Sequence, residues 1–133
     1  MNNYNVGIVT GAFDMLHIGH INLLKKARQR CNYLIVALHV DPSVERPHKN
    51  KPIESILERE IKLNACRYVY LTVVYETEAD LSIIFRYFKI DVRFLGTDAK
   101  DGRTITDEGA LPIEYIDSLP IHTSKLRERI KGI

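Results

Sequence analysis

The sequence predicts an α/β protein: one parallel sheet with helices on both faces. Short apolar runs that end in turn residues alternate along the chain with segments whose apolar residues recur at helical spacing. Strands that alternate with helices form βαβ units, which build parallel sheets. The chain has 133 residues, 45% of them hydrophobic, which suffices for one core but is short for two ordinary domains. We therefore expect a single domain over residues 1–133.

Five segments are predicted to be strands. Residues 4–10 are rich in Val and Ile and stop at Gly11, which indicates a buried strand ended by a loop. Residues 33–40 form a near-continuous apolar run, as expected for a strand covered on both faces. The remaining three predicted strands are shorter and cover residues 69–74, 92–95 and 113–116.

Four segments have helical periodicity. Over residues 19–29, apolar side chains recur at helical spacing, namely at Ile21, Leu24 and Ala27. Over residues 53–64, four apolar side chains make one stripe, formed by Ile53, Ile56, Leu57 and Ile61. Helices are also expected at 79–88 and 124–130, the last with Thr123 able to cap its first turn.

Composition excludes several classes of protein. The formal net charge is only +2 and the basic residues are spread along the chain, so charge gives little support for a nucleic-acid partner. No apolar run approaches the roughly 18 residues that span a bilayer, and the first residues lack an export signal. Cys31 and Cys66 lie far apart without a CxxC pattern, which suggests two buried thiols rather than a disulfide framework. We expect a cytoplasmic protein with no membrane partner.

The loop after the first strand carries the strongest chemical signal. In open parallel sheets, ligands bind beyond the carboxyl ends of the strands, where strand order reverses. Residues 11–20 read GAFDMLHIGH and lead directly into a helix start, whose backbone N–H groups favour a phosphate. Gly19 lets the backbone approach that phosphate, and His17 and His20 can point to it from one side of the turn. Two alternatives are incidental histidines or a pair of metal ligands, but no Cys, Asp or Glu at ligand spacing obviously completes a zinc site.

GAFDMLHIGH resembles the HxGH signature of the cytidylyltransferase-like nucleotidyltransferases, and the chain as a whole is most similar to glycerol-3-phosphate cytidylyltransferases. The resemblance implies a Rossmann-like nucleotidyltransferase fold. It also implies that His17 and His20 stabilise the pentacoordinate transition state at the α-phosphate without a covalent enzyme intermediate. The nucleotide contacts that it implies in this loop are those of Gly11, Ala12, Phe13, Asp14, Ile18 and Gly19.

Lys49 and Lys51 lie in a Pro-punctuated basic loop, residues 41–52, after the second predicted strand. The pair resembles the family's lysines, which implies that Lys51 takes part in catalysis and that Lys49 binds the substrate phosphate. The loop's polarity and position favour a mobile segment that closes over substrate. The alternative is ordinary solvated charge.

Two arginines stand eight residues apart, at Arg59 and Arg67, before a tyrosine and a predicted strand. Their spacing would place both near one face of a helix, and the resemblance implies that they contact nucleotide. For Arg59 the alternative is an ion pair with Glu58 or Glu60 on a wet face. Asp98 follows the fourth strand where the family has its base pocket, with an ordinary turn as the alternative.

The segment before the last helix occupies the place of the family's RTxGISTT motif, which holds the triphosphate. The residues implied are Ile121, His122, Thr123 and Ser124. Asp117 stands where the family has an Arg, so we expect another cation to meet the phosphates: Lys125, Arg127 or a protonated His122.

The sequence thus predicts an enzyme that joins CMP from CTP to a small phosphomonoester, such as glycerol 3-phosphate or a related polyol or sugar phosphate, and releases pyrophosphate. Mg²⁺ is expected to arrive on the triphosphate rather than in a protein cage. The alternatives are an adenylyltransferase and a non-catalytic nucleotide-binding module of the same fold. A dinucleotide-dependent dehydrogenase is disfavoured because no GxGxxG follows the first strand. The family resemblance implies a homodimer.

Overall fold

The computed structural model describes residues 3–97, 111–119 and 123–131. In chain order the elements are β1 (Tyr4–Gly11), α1 (Ile18–Arg28), β2 (Cys31–His39), α2 (Ile56–Asn64), β3 (Leu71–Tyr75), α3 (Glu78–Tyr87), β4 (Val92–Gly96), β5 (Ile113–Ile116) and α4 (Thr123–Lys131). Each predicted strand and helix is present. The largest shift is at the start of α2, which was predicted at residue 53 and lies at Ile56.

The strands form one sheet in the order β3-β2-β1-β4-β5, and every neighbouring pair is parallel. Because β2 pairs on one side of β1 and β4 pairs on the other, strand order reverses between β1 and β4. The carboxyl ends of these two strands therefore border the crevice in which such sheets bind ligands. The predicted fold class is confirmed.

The sheet is packed on both faces. Because side chains alternate along a strand, Ile8 and Val9 lie in different clusters. The cluster containing Val9 joins the sheet to α1 through Leu24 and to α2 through Leu63. The cluster containing Ile8 joins it to α3 through Leu81. Helices thus cover both faces, as the near-continuous apolar run of β2 indicated.

The apolar stripe predicted for the second helix is only partly its buried face, because Ile56 packs against the core and the other three members do not. Ile53, Leu57 and Ile61 are 58%, 61% and 60% exposed, whereas Arg59 and Leu63 are buried. Hydrogen bonds from Arg59 to neighbouring loops turn this residue toward the protein and the three apolar side chains toward the outside. We call these three exposed side chains, Leu57 and Ile61 on α2 and Ile53 just before it, the α2 row.

Both cysteines are free thiols: Cys31 is buried and Cys66 is half-buried. Burial raises the pKa of the Cys31 thiol. None of the helices in the described ranges is long and apolar enough to cross a bilayer.

Candidate active site

The two histidines of the HxGH motif lie at the N-terminus of α1. His17 is the N-cap, and its Nδ1 accepts a hydrogen bond from the Gly19 N–H at 3.0 Å. His20 Nδ1 accepts from the His17 N–H at 3.1 Å. A ring nitrogen that accepts a backbone N–H carries no proton, so both imidazoles are neutral and hold their proton on Nε2. The local backbone thus fixes the tautomer of both rings.

The rings are also fixed by packing. The His17 and His20 rings stack with their centroids 4.0 Å apart, and the buried Phe13 ring lies 5.3 Å from that of His20. Phe13 and Met15 both have positive φ values, 48° and 49°, which side-chain-bearing residues rarely adopt. One of these residues lies on each side of Asp14. Such backbone strain indicates that contacts with the surrounding structure fix the shape of the loop.

Asp14 supplies several of those contacts. It is 5% exposed, and its carboxylate accepts hydrogen bonds from the N–H groups of Ile53 and Glu54 at 2.8 and 2.9 Å. Arg127 of α4 donates to the same carboxylate at 2.8 Å. Asp14, which we predicted to contact the nucleotide, therefore joins the HxGH loop to the start of α2 and to the last helix.

Arg59 is 2% exposed and donates to five backbone carbonyls. Nη1 and Nη2 reach Ala12, His39 and Val40 at 3.0, 2.7 and 2.7 Å, so one side chain connects the loops after β1 and β2. Burial lowers the pKa of this guanidinium, while the carboxylates of Asp14 and Glu54 act in the opposite direction. The expected ion pair with Glu58 or Glu60 is not formed; Glu58 instead completes the capping box of α2 with Ser55.

Lys49 and Lys51 are exposed in the loop after β2, at the carboxyl edge of the sheet, on the side where they were predicted. The loop is attached at its end, because Arg127 donates to the Lys51 carbonyl at 2.9 Å as well as to Asp14. Arg127, one of the cations expected to compensate for Asp117, is thus brought beside the HxGH loop. Asp117 itself is exposed, and its carbonyl accepts from Asn22.

Arg67 is not brought to this site. Helix α2 ends at Asn64, so Arg67 lies in the connection to β3 and not two turns along the same helix face as Arg59. Because α2 begins beside the HxGH loop and runs about 13 Å, this connection lies at the amino-terminal edge of the sheet. There the exposed Arg67 lies over the Tyr68 ring, 5.2 Å from its centroid. The prediction that Arg59 and Arg67 share a helix face is wrong.

Five of the predicted residues are covered only in part or not at all, and of Thr123 and Ser124 the structure describes only that they open α4. Asp98, Ile121 and His122 lie outside the described residues. Helix α4 begins at Thr123 itself rather than at Ser124, so Thr123 is the first helical residue and not the cap.

Glu54 is a residue of this region that sequence reasoning missed. Its carboxylate accepts from the Met15 N–H at 2.8 Å and pairs with Lys62, which adds a second link between the HxGH loop and α2. A signal for the correct start of α2 was present in the sequence, because Ser55 and Glu58 have the S-x-x-E spacing of a capping box. That box puts Glu54 just before the helix, facing the loop.

Comparison with known proteins finds one matching family profile and several relatives by sequence. The profile of the family described as cytidylyltransferase-like matches residues 8–129. The bifunctional protein HldE of Campylobacter jejuni is 33% identical over 132 residues, which is 98% of this chain and 28% of the relative. Ethanolamine-phosphate cytidylyltransferase of Mus musculus is 37% identical over 87 residues, 63% of this chain and 22% of the relative. This chain thus spans about a quarter of the length of these relatives.

A solved structure supports the fold. The lipopolysaccharide core biosynthesis protein of Thermoplasma volcanium superposes with a TM-score of 0.71 at 22% sequence identity, covering 86% of this chain and 98% of the other. Neither relative named above is a glycerol-3-phosphate cytidylyltransferase, so that closer assignment stays a prediction. Because the family profile extends from β1 into α4 and the HxGH histidines lie at a helix start beside the switch point, the chain belongs to the cytidylyltransferase-like family.

Proposed function

We propose that this protein is a nucleotidyltransferase that joins the nucleoside monophosphate of an NTP to the phosphate of a small acceptor. An acceptor phosphate oxygen attacks the α-phosphorus, the bond from that phosphorus to the bridging oxygen breaks, and pyrophosphate leaves. The observation that carries this proposal is the pair of stacked imidazoles at the α1 N-terminus, both with their proton on Nε2.

Neutral imidazoles with fixed Nε2–H groups suit transition-state stabilisation. Each can donate a hydrogen bond to oxygens whose charge grows as the pentacoordinate phosphorus forms, and neither is arranged as a nucleophile. The positive end of the α1 dipole acts on the same oxygens. His17 and His20 are therefore the catalytic residues of this proposal, and Gly11, Ala12, Ile18 and Gly19 provide the backbone around the phosphates.

Lys51 and Lys49 are proposed to meet the triphosphate and the acceptor phosphate when the loop after β2 closes. Mg²⁺ would come with the NTP, held by phosphate oxygens and water, and would neutralise charge on the triphosphate. The donor set agrees with this, because the Asp14 carboxylate is engaged by backbone N–H groups and Arg127. Across the described ranges, no metal-ligand trio of His, Cys, Asp and Glu falls in the HxGH loop.

CTP and a polyol or sugar phosphate, such as glycerol 3-phosphate, are the proposed substrates. The name of the mouse relative, a cytidylyltransferase for a small phosphorylated amine, supports a cytidylyl donor and a small phosphomonoester. ATP is the alternative donor, since the HxGH loop contacts phosphates and not the base.

We further propose a homodimer that buries the α2 row. Leu57 and Ile61 lie one turn apart on α2, Ile53 lies just before the helix, and each of the three side chains is more than half exposed. Contiguous exposed apolar side chains are typical of protein interfaces. The mass of the protein in solution, compared with that of Leu57→Glu, tests this: a monomeric wild-type protein contradicts the proposal.

The reaction is tested by pyrophosphate release with each of the four NTPs against a panel of small phosphomonoesters. His17→Ala and His20→Ala are each expected to lower kcat by about 100-fold or more, as removal of one preorganised donor typically does. Lys51→Ala should also lower turnover, while Lys25→Ala, exposed in the last turn of α1, is the matched control. A preference for ATP would contradict the choice of CTP. Unchanged turnover in either histidine variant would contradict the catalytic role of that histidine.

A further inference from the structure

A second group of potential ligands lies on the other face of the sheet from α1. It consists of His39 at the end of β2, Glu45 in the following loop and Glu78 at the start of α3. One ring nitrogen of His39 and one carboxylate oxygen from each glutamate lie within 4.8 Å of one another. We propose that these three side chains bind a divalent transition-metal ion with the ligand preferences of Zn²⁺, separate from any Mg²⁺ carried by a nucleotide.

The imidazole is arranged as a metal ligand. His39 is 4% exposed, and its ring stacks on that of Tyr75 with centroids 4.5 Å apart. Its Nε2 lies 3.2 Å from the Glu76 carbonyl oxygen, which can only accept, so Nε2 holds a proton; in the neutral ring Nδ1 then keeps the lone pair that a cation needs. Histidines that bind metals commonly donate their other N–H to a backbone carbonyl or carboxylate, which fixes the ring and the tautomer. His39 has this arrangement.

The two carboxylates are also oriented. Glu45 Oε1 accepts from the Glu78 N–H at 2.8 Å, which leaves its second oxygen for a cation. Glu78 Oε1 is buried and has no hydrogen-bond partner within the part of the chain that the structure describes. Arg46 Nη2 lies 3.4 Å from that oxygen as an ion pair. The group therefore carries two negative charges and one positive charge, and a bound cation would compete with Arg46 for Glu78.

The donor types select the ion. Imidazole nitrogen and carboxylate oxygen are both zinc ligands, and three protein ligands leave the fourth tetrahedral position to water, whereas Mg²⁺ and Ca²⁺ prefer oxygen ligands throughout. Ligands about 2.0–2.1 Å from a tetrahedral ion lie about 3.3 Å from one another. The group must therefore contract on binding, which the exposed Glu45 side chain allows.

A bound ion would join three segments. It would connect the end of β2 and the start of α3 to the loop that carries Lys49 and Lys51, and so restrict that loop near its beginning. We therefore expect the bound ion to make this loop more ordered, even when no nucleotide is present.

The test uses the full chain after treatment with a chelator and dialysis. Calorimetric titration with Zn²⁺ and with Mg²⁺ is expected to show one site for Zn²⁺ and none for Mg²⁺. Co²⁺ should give the visible absorption of a four-coordinate ion. Hydrogen exchange should slow in residues 41–48 on addition of Zn²⁺ alone.

Variants decide where the ion binds. Glu78→Gln and Glu45→Gln are each expected to weaken Zn²⁺ at least about tenfold, the lower bound found for loss of groups that support metal sites. Glu60→Gln on α2, on the opposite face of the sheet, is the matched control and should leave affinity unchanged. Arg46→Gln should tighten Zn²⁺ severalfold, because it removes the competing cation.

Three results would overturn the proposal. The first is absence of Zn²⁺ binding. The second is Zn²⁺ affinity that survives both glutamate variants, as an ion held by His17 and His20 would show. The third is a preference for Mg²⁺. If Glu78→Gln fails to fold, Glu45→Gln decides, because the Glu45 side chain is exposed and its loss should leave the fold intact.

Discussion

Replacement of Arg59 by Lys separates two roles that the sequence left open, a contact to nucleotide and a connection between loops. The structure has the guanidinium buried, with three of its hydrogen bonds made to carbonyls of other segments, at Ala12, His39 and Val40. Lysine keeps the charge but has a compact head that cannot reproduce the planar fork of donors. We expect Arg59→Lys to destabilise the protein even when no nucleotide is present.

The magnitude follows from these contacts. Each hydrogen bond to a charged group contributes about 1.5–3 kcal/mol, and lysine should lose about two of the three. Water can replace the donor at the partly buried Ala12 and Val40 carbonyls but less readily at the buried His39 contact, so the lower end applies. A loss of about 3 kcal/mol in the free energy of unfolding lowers Tm by about 12 °C, at roughly 4 °C per kcal/mol for a chain of this size.

The assay is thermal unfolding with and without a saturating NTP, for wild type, Arg59→Lys and the exposed control Arg67→Lys. Ligand that binds only the folded state raises Tm. If the role of Arg59 is to connect the loops after β1 and β2, Arg59→Lys should melt at a lower temperature than wild type without nucleotide, and NTP should still raise its Tm. Arg67→Lys should stay within about 0.5 kcal/mol of wild type, as is usual for surface changes.

One result would refute this reasoning. An Arg59→Lys protein that melts with wild type in the absence of nucleotide, yet gains nothing from NTP, would make Arg59 a ligand contact and not a structural connection.

Three further predictions test the core, the thiols and a helix start. Gly7→Ala should cost about 1–3 kcal/mol of stability, measured by urea unfolding, because a Cβ there would lie 2.5 Å from the buried Phe94 ring; an unchanged midpoint would show that the ring can move. Iodoacetamide should modify the half-buried Cys66 before Cys31, whose pKa is raised by burial, and mass spectrometry of the peptides would reveal the reverse order if this is wrong. Backbone N–H groups at the start of α3 lower the pKa of Asp80. Its charge therefore stabilises the fold above the pKa of the unfolded state and ceases to do so as pH falls through the lower folded pKa. Asp80→Asn should then be less stable than wild type at pH 7, with the difference closing below about pH 4; a difference independent of pH would contradict the assignment.

Periodicity was sufficient to predict the order of strands and helices, since each segment has either a short apolar run or helical spacing. Periodicity did not predict that Arg59 belongs to the buried face of α2. The α2 row has the pattern of a buried stripe, but the burial of Arg59 depends on carbonyls at Ala12, His39 and Val40, which come together only in the folded chain. No local pattern marks an arginine whose partners are backbone atoms of distant loops.

The HxGH residues of the candidate site could be predicted from the sequence, whereas most of their contacts with distant residues could not. His17, Gly19 and His20 are adjacent in sequence, so the helix start alone determines their geometry. The contact of Arg127 with Asp14 joins residues 113 positions apart, and spacing gives no information on such a pair. The misplacement of Arg67 has a simpler cause. A spacing of eight residues places two side chains on one helix face only if the helix includes both, and α2 ends at Asn64, three residues before Arg67.

The position of β1 in the middle of the sheet affects how the chain can fold. During synthesis β1 can pair with β2 soon after both appear, but its other edge finds a partner only when β4 follows, since Gly7 pairs with Val92 more than eighty positions later. Pairings between residues so far apart in sequence slow folding. Until then one edge of β1 exposes unpaired N–H and C=O groups, which invite pairing with other chains. A nascent or truncated chain that stops before β4 should therefore depend on chaperones to avoid aggregation.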